Sequence, residues 1–234
     1  MIIYAIIPAR SGSKGIPNKN IRKIADKELI GYSIDFARSL DVDKVICSTD
    51  SEYYAEIARK YGAEVPFLRS AFAAQDTSME EHILEDLYDK FDSLDLSYPD
   101  IFVWLRPTFV FRDRLKVLEC IEKLARDLSL TACRIIVEAE SRLYNINDDR
   151  IVASFDDKGK SMIRRQDVKK GYKVYSTDIF RGNPKNATPQ FLGAKVGYVI
   201  ADKICGLDID DEIDLDIVSY LVEHRRSLVD AYLP

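Results

Sequence analysis

Residues 2–8 form an almost unbroken apolar run that passes straight into a loop of glycines and cations, "IIPARSGSKGIPNKN" over 6–20. Apolarity so continuous marks a strand buried on both faces, as in parallel sheets. Such a strand needs helices on either side, and the chain supplies them. Residues 29–40 place Ile30, Ile34 and Ala37 at helical spacing. Residues 44–49 ("KVICST") form a second strand, 52–61 a helix that stops at Gly62, and 64–68 a short third strand. Ser78-Met79-Glu80-Glu81 has the pattern of a capping box. The helix after it puts Ile83, Leu87 and Phe91 on one face. A strand at 100–105 ("DIFVWL"), a helix at 114–128 and a strand at 130–137 continue the alternation. The expected fold class is α/β, a mostly parallel sheet covered by helices.

The rhythm breaks after Val137. Residues 138–171 are polar, with a hairpin expected around Asp156-Asp157-Lys158-Gly159, and read as an arm outside the sheet. A strand at 194–200 and a helix at 214–230 close the chain. The 234 residues suit one domain, 1–234, with that arm. Net charge is −5, so no global basic field recruits nucleic acid. Cys47, Cys120, Cys133 and Cys205 form no CxxC pair and read as reduced core residues, as in a cytoplasmic protein. Neither a signal peptide nor a membrane span is expected.

In open α/β sheets, ligands bind beyond the carboxyl ends of the strands. Residues 9–20, 48–50 and 106–112 should meet there. The first loop fits neither G-x-x-x-x-G-K-[ST] nor G-x-G-x-x-G. Still, Gly12 and Gly15 allow close backbone approach to an anion, and Arg10, Lys14 and Lys19 bring three positive charges, enough for a polyphosphate. The bland alternative is a solvated basic loop. Near the other end, "GLDIDDEIDLD" places Asp208 and Asp210 around Ile209, on one side of a strand. Two such carboxylates suit magnesium, with substrate phosphates as further ligands. The alternative is an acidic turn in which Asp211 or Asp214 caps the last helix. Arg164-Arg165-Gln166 could clamp a carboxylate, or form a plain surface basic pair. Together the three features equip a chain for phosphoryl or nucleotidyl transfer. His82 and His224 read as structural.

These segments resemble, in order, the motifs of the acylneuraminate cytidylyltransferases, the CMP-sialic acid synthetases. "IIPARSGSKGIPNKNI" is similar to that family's N-terminal signature, and "VICSTD", "FLRSAFAAQDTS", "LRPT", "RRQD" and "LDIDDEIDLD" follow. The resemblance implies a Rossmann-like nucleotidyltransferase fold with a protruding dimerisation arm, hence a homodimer. It implies Mg2+ and the joining of CTP to a 3-deoxy-2-keto sugar acid, giving CMP-sugar and pyrophosphate. Ala9, Arg10, Ser11, Gly12, Ser13, Lys14, Lys19 and Asn20 would hold the nucleotide, with Arg69, Asp76, Thr77 and Ser78 beside the base. Asp208 and Asp210 would hold the metal and, with Arg10, Lys14 and Lys19, drive catalysis. Arg106, Thr108, Arg164, Arg165 and Gln166 would face the sugar acid. The sequence departs from the family on the sugar side at Arg106 (for glutamine), Phe109, Tyr175, Ser176 and Ile179, so the acceptor need not be N-acetylneuraminate, and on the base side at Glu80 (for serine). A 3-deoxy-manno-octulosonate cytidylyltransferase, a nucleotide-binding relative without activity and a glycosyltransferase stay open as alternatives.

Overall fold

The computed structural model of the protein describes residues 1–160, 162–174, 176–182 and 191–234. In chain order the strands are β1 (Ile3–Pro8), β2 (Lys23–Ile24), β3 (Lys27–Glu28), β4 (Lys44–Ser48), β5 (Ile101–Leu105), β6 (Ala132–Ala139), β7 (Tyr144–Asn147), β8 (Arg150–Ala153), β9 (Gly171–Lys173), β10 (Thr177–Arg181) and β11 (Val196–Ala201). The helices are α1 (Leu29–Ser39), α2 (Glu52–Lys60), α3 (Glu80–Ser93), α4 (Arg114–Arg126), α5 (Glu212–His224) and α6 (Arg226–Val229). The main sheet runs β11-β6-β10-β5-β1-β4, with β9 also paired to β6.

Alternate residues of β1 explain how both faces are covered. Ala5 and Ile7 pack with α1, α2 and α4 residues such as Ile34, Ala58 and Leu124. Tyr4 and Ile6 turn the other way, toward Ile83, Leu87 and Phe91 of α3. Phe91 is fully buried, and cutting it to alanine should cost about 3–5 kcal/mol. A third cluster seats α5, through Leu215, Val218 and Val222, on Ile16 and Leu29. Helix α5 is thereby packed beside the opening loop.

Most expected elements form, and the exceptions have physical causes. The third strand shrinks to one bridge, Ile46 to Glu64, since Pro66 offers no N–H to prolong a ladder. The cap of α3 slides by one residue. Met79 occupies the N-cap position, its N–H donating to His82 Nδ1, while the Ser78 hydroxyl donates to the Phe72 carbonyl. The arm's hairpin is β7–β8, turning at Asp148 with φ 52°, and not at Asp156–Gly159. Around Asp156 the side chains of Asp156 and Asp157 bond the next N–H groups in a local turn. The closing helix begins at Glu212 and breaks at Arg225, where the backbone leaves the helical region. β10 was not foreseen. It lies between β5 and β6, antiparallel to both, with Asp178 as its second residue.

All four cysteines are buried and free. Among the described residues, no helix is long and apolar enough to cross a membrane.

Candidate active site

β1, β4 and β5 run parallel, so the loops at 9–20, 49–51 and 106–113 leave the same edge of the sheet. The first and the last of these loops border a cleft of about 440 Å³. Arg10, Ser13, Lys14, Gly15, Lys19 and Asn20 line one part of it, Arg69, Ser78 and Glu80 another, and Arg106, Thr108 and Asp210 complete the wall.

The opening loop is held from below. Ala9 N–H donates to the Ser48 carbonyl, extending the strand pairing by one residue. Asp50, just beyond β4, accepts from the Ser11 N–H and the Ser11 hydroxyl, both at 2.8 Å. Asn20, 7% exposed, donates to the Arg10 carbonyl at 2.9 Å. The two expected glycines differ in what they do. A Cβ on Gly12 would meet only Arg10 at 3.6 Å, an ordinary contact. A Cβ on Gly15 would stand 2.6 Å from the Asp210 carbonyl oxygen, so this glycine is what lets the loop dock on the acidic turn.

Lys19 joins the two ends of the chain. Its Nζ donates to the Ile209 carbonyl at 2.8 Å, across 190 positions of sequence, and lies 3.7 Å from Asp210 Oδ1. The turn at 208–210 is not the strand expected for it. Ile209 N–H donates to the Thr108 carbonyl, Ile209 is buried, and Asp211 caps α5 through the N–H groups of Ile213 and Asp214. Cap and acidic pair therefore coexist, because neighbouring aspartates divide the two tasks. Asp208 is half-buried and Asp210 exposed. Burial pushes the Asp208 carboxyl up, and the nearby Asp210 charge adds to this. The Thr108 hydroxyl, Lys173 and Lys19 oppose it. Asp208 Oδ1 is shielded from solvent and without a hydrogen-bond partner. Among the described residues no three acidic, His or Cys side chains gather to hold a metal unaided. A partnerless carboxylate oxygen beside a second carboxylate fits a divalent cation whose other ligands come from substrate.

Arg10 and Lys14 converge on one anion inside the chain. Arg10 NH1 is 2.5 Å from Asp76 Oδ1 and Lys14 Nζ is 2.8 Å from Asp76 Oδ2. These cations hold the Asp76 carboxyl below its usual range. Thr77 is exposed. Arg69 is nearly buried, its Nε and NH2 donating to Ser48 Oγ and the Ser48 carbonyl.

Arg106 reaches the cleft as expected, but between two carboxylates. Its Nε donates to Glu80 Oε1 at 2.8 Å and NH1 to Asp178 Oδ2 at 2.9 Å. Asp178 is fully buried and also bonded by Arg134 Nε at 2.6 Å. Phe109 and Ile179 do not face the cleft: they are 1% and 0% exposed, and Ile179 lies in the core. Ser176 is buried, and Tyr175 lies outside the described residues. Arg164, Arg165 and Gln166 are on the arm and do not line the cleft of their own chain. Arg164 pairs with Asp167, and Arg165 with Glu138 at 3.2 Å.

Lys173, whose charge acts on Asp208, and Asp178, which braces Arg106, were not singled out from the sequence, whereas Asp50 falls in the 48–50 segment expected at this edge. Asp50 had a signal, since it follows a strand at the binding edge. Asp178 had none, because a charge amid a short apolar stretch argues against a central strand.

Residues 4–161 match the family model described as Cytidylyltransferase. The chain is 32% identical to the Post-translational flagellin modification protein B of Campylobacter coli, across 96% of each chain. It is 34% identical to the N-acylneuraminate cytidylyltransferase of Escherichia coli O18:K1:H7, over 98% of this chain and 54% of that protein. Among solved structures, CMP:2-keto-3-deoxy-manno-octonic acid synthetase complexed with CTP superposes with a TM-score of 0.66, at 14% identity, over 96% of this chain and 100% of that one. At that identity the likeness shows the fold.

Proposed function

The chain belongs to the cytidylyltransferase family, and we propose that it couples CTP to a sialic-acid-like nonulosonic acid, releasing pyrophosphate. One observation carries this reading. Arg10, Lys14 and Lys19 from the start of the chain and the acidic turn from its end surround a single cleft. A relative described as an N-acylneuraminate cytidylyltransferase supports the choice of acceptor class.

In the reaction, the anomeric hydroxyl of the sugar attacks the α-phosphorus of CTP. The new O–P bond forms as the bond to the β-phosphate oxygen breaks, pyrophosphate leaves, and the hydroxyl proton passes to solvent. Arg10 and Lys14 exchange Asp76 for phosphate oxygens, and Lys19 neutralises charge beside the acidic turn. Lys19 is positioned before substrate arrives, so it stabilises developing charge with little reorganisation, while Arg10 and Lys14 must first leave Asp76. Asp208 and Asp210 would hold Mg2+, which supplies further neutralisation of the triphosphate.

The arm supports a homodimer. Ile146, Ile151 and Met162 are 80%, 72% and 78% exposed, an apolar surface suited to a second copy. Such a dimer would be the means for Arg164, Arg165 and Gln166 to reach a neighbouring cleft. Light scattering of the purified chain tests the dimer. Incubation with CTP, Mg2+ and a panel of nonulosonic and octulosonic acids tests the reaction. Pyrophosphate release with a nonulosonic acid is expected, and none with any acid would refute the assignment.

A further inference from the structure

Arg112 lies near the end of the loop that follows β5, and it is 2% exposed. Its NH2 donates to the Arg106 carbonyl at 2.6 Å, while Nε and NH1 are shielded from solvent and donate to no described residue. The guanidinium stands 5.5 Å from the centre of the Phe36 ring. The ionisable groups that act on it are Cys205 and Arg106, and neither is a carboxylate. Burial lowers its pKa to about 9, which leaves it ionised at neutral pH. A buried ion without a counter-charge destabilises a fold. Residues that break the rules of stability in this way gather at functional sites.

The place that the guanidinium grips is a support of the cleft. The Arg106 carbonyl also accepts from the Phe109 N–H at 3.2 Å, which closes a turn over 106–109. Thr108 sits in that turn. Its carbonyl accepts from the Ile209 N–H at 3.1 Å, and its hydroxyl lies against the Asp208 carboxyl. The turn is therefore the seat of the acidic pair. The backbone of Arg112 is fixed by other means. Its N–H donates to the Tyr232 carbonyl at 2.8 Å, and the preceding Val110 and Phe111 pack in one cluster with Ile209. What the side chain adds is its bond to the Arg106 carbonyl, and a charged donor makes that bond stronger than a neutral one would.

We propose that Arg112 is a positioning residue for the divalent cation: by gripping the Arg106 carbonyl it sets the turn that carries Thr108, and Thr108 sets Asp208. This rests on the reading of Asp208 and Asp210 as the metal-holding pair. Arg112 itself touches neither metal nor substrate.

Water-proton relaxation titrations with Mn2+, on the full chain with CTP bound, read the enzyme-held cation directly, and thermal melts read the fold. Arg112→Met fills most of the space and removes the charge and the donors. Its Mn2+ affinity should fall about tenfold, the scale of effect seen when a support behind a metal ligand is lost. Its melting temperature should equal or exceed that of the wild type, because an unpaired buried charge is gone. Arg112→Lys keeps a donor for the Arg106 carbonyl and should hold Mn2+ within about threefold of the wild type. A methionine variant that fails to fold or melts lower makes Arg112 a prop of the fold, and one with wild-type Mn2+ affinity makes it a bystander. Either result overturns the proposal, as does a lysine variant as weak as the methionine one. Asp208→Ala keeps the two readings apart. If it loses Mn2+ while Arg112→Met does not, the metal pair stands and the proposal alone falls. If it holds Mn2+ as the wild type does, or if the wild type holds none, both fall.

Discussion

Lys19 of the cleft and Arg164 of the arm look alike in sequence and differ in how the fold holds them. Lys19 is 16% exposed and bonded to a carbonyl from the far end of the chain. Arg164 is 71% exposed and paired with a carboxylate three residues away. The first is held by tertiary structure in a place where water cannot easily substitute for it. The second makes a local surface pair, worth about 0–1 kcal/mol. A positive charge does chemistry when the fold fixes and partly desolvates it, and spacing along the chain does not reveal which will be so treated.

The comparison breaks most visibly at Lys19. Lys19→Met should lower kcat/KM by about 10²–10³-fold, the loss typical of one preorganised charge-stabilising donor. Steady-state pyrophosphate release measures it, and a drop below tenfold would place Lys19 with the arm cations. Next is Gly15→Ala. The added methyl must displace the Asp210 backbone, and a shift of that size costs on the order of 10²-fold in turnover.

Stability separates the two regions again. Asp178→Ala leaves Arg106 and Arg134 each short of a buried carboxylate and should cost about 3–5 kcal/mol in denaturant melts. Asp50 gives a smaller, geometric effect. Asp50→Ala frees Ser11 and should raise the KM for CTP about tenfold, for the loss of two hydrogen bonds. Asp50→Asn can still accept from the Ser11 N–H and donate to its hydroxyl, so it should stay near wild type. Equal losses in the two variants would show that the charge, and not the geometry, matters. The smallest change is expected for Arg164→Ala, within about 1 kcal/mol of wild-type stability. A large fall in turnover with stability preserved would sharpen the contrast, by showing that this arginine serves a cleft in a partner copy.

Much of the scaffold was legible. The strands at 2–8, 44–49 and 100–105 announced themselves because burial on both faces demands continuous apolar residues. The helices between them followed from one apolar face and a stop signal. The binding edge was legible too, since parallel strands bring their following loops together. The arm was visible only as a loss of rhythm, and its hairpin turned elsewhere because Asp148 tolerates a positive φ.

By itself, the sequence determined a mostly parallel α/β core, a cationic loop after its first strand and an acidic turn before its last helix. Those features depend on neighbours within a few residues. Tertiary structure alone decided that Gly15 meets Asp210, that Lys19 bridges to Ile209, and that β10 enters the sheet with Asp178 between Arg106 and Arg134. The physical reason is common to all three. Each contact joins groups whose separate patterns are unremarkable or unfavourable, and which become stable only when a partner far away in the chain satisfies them.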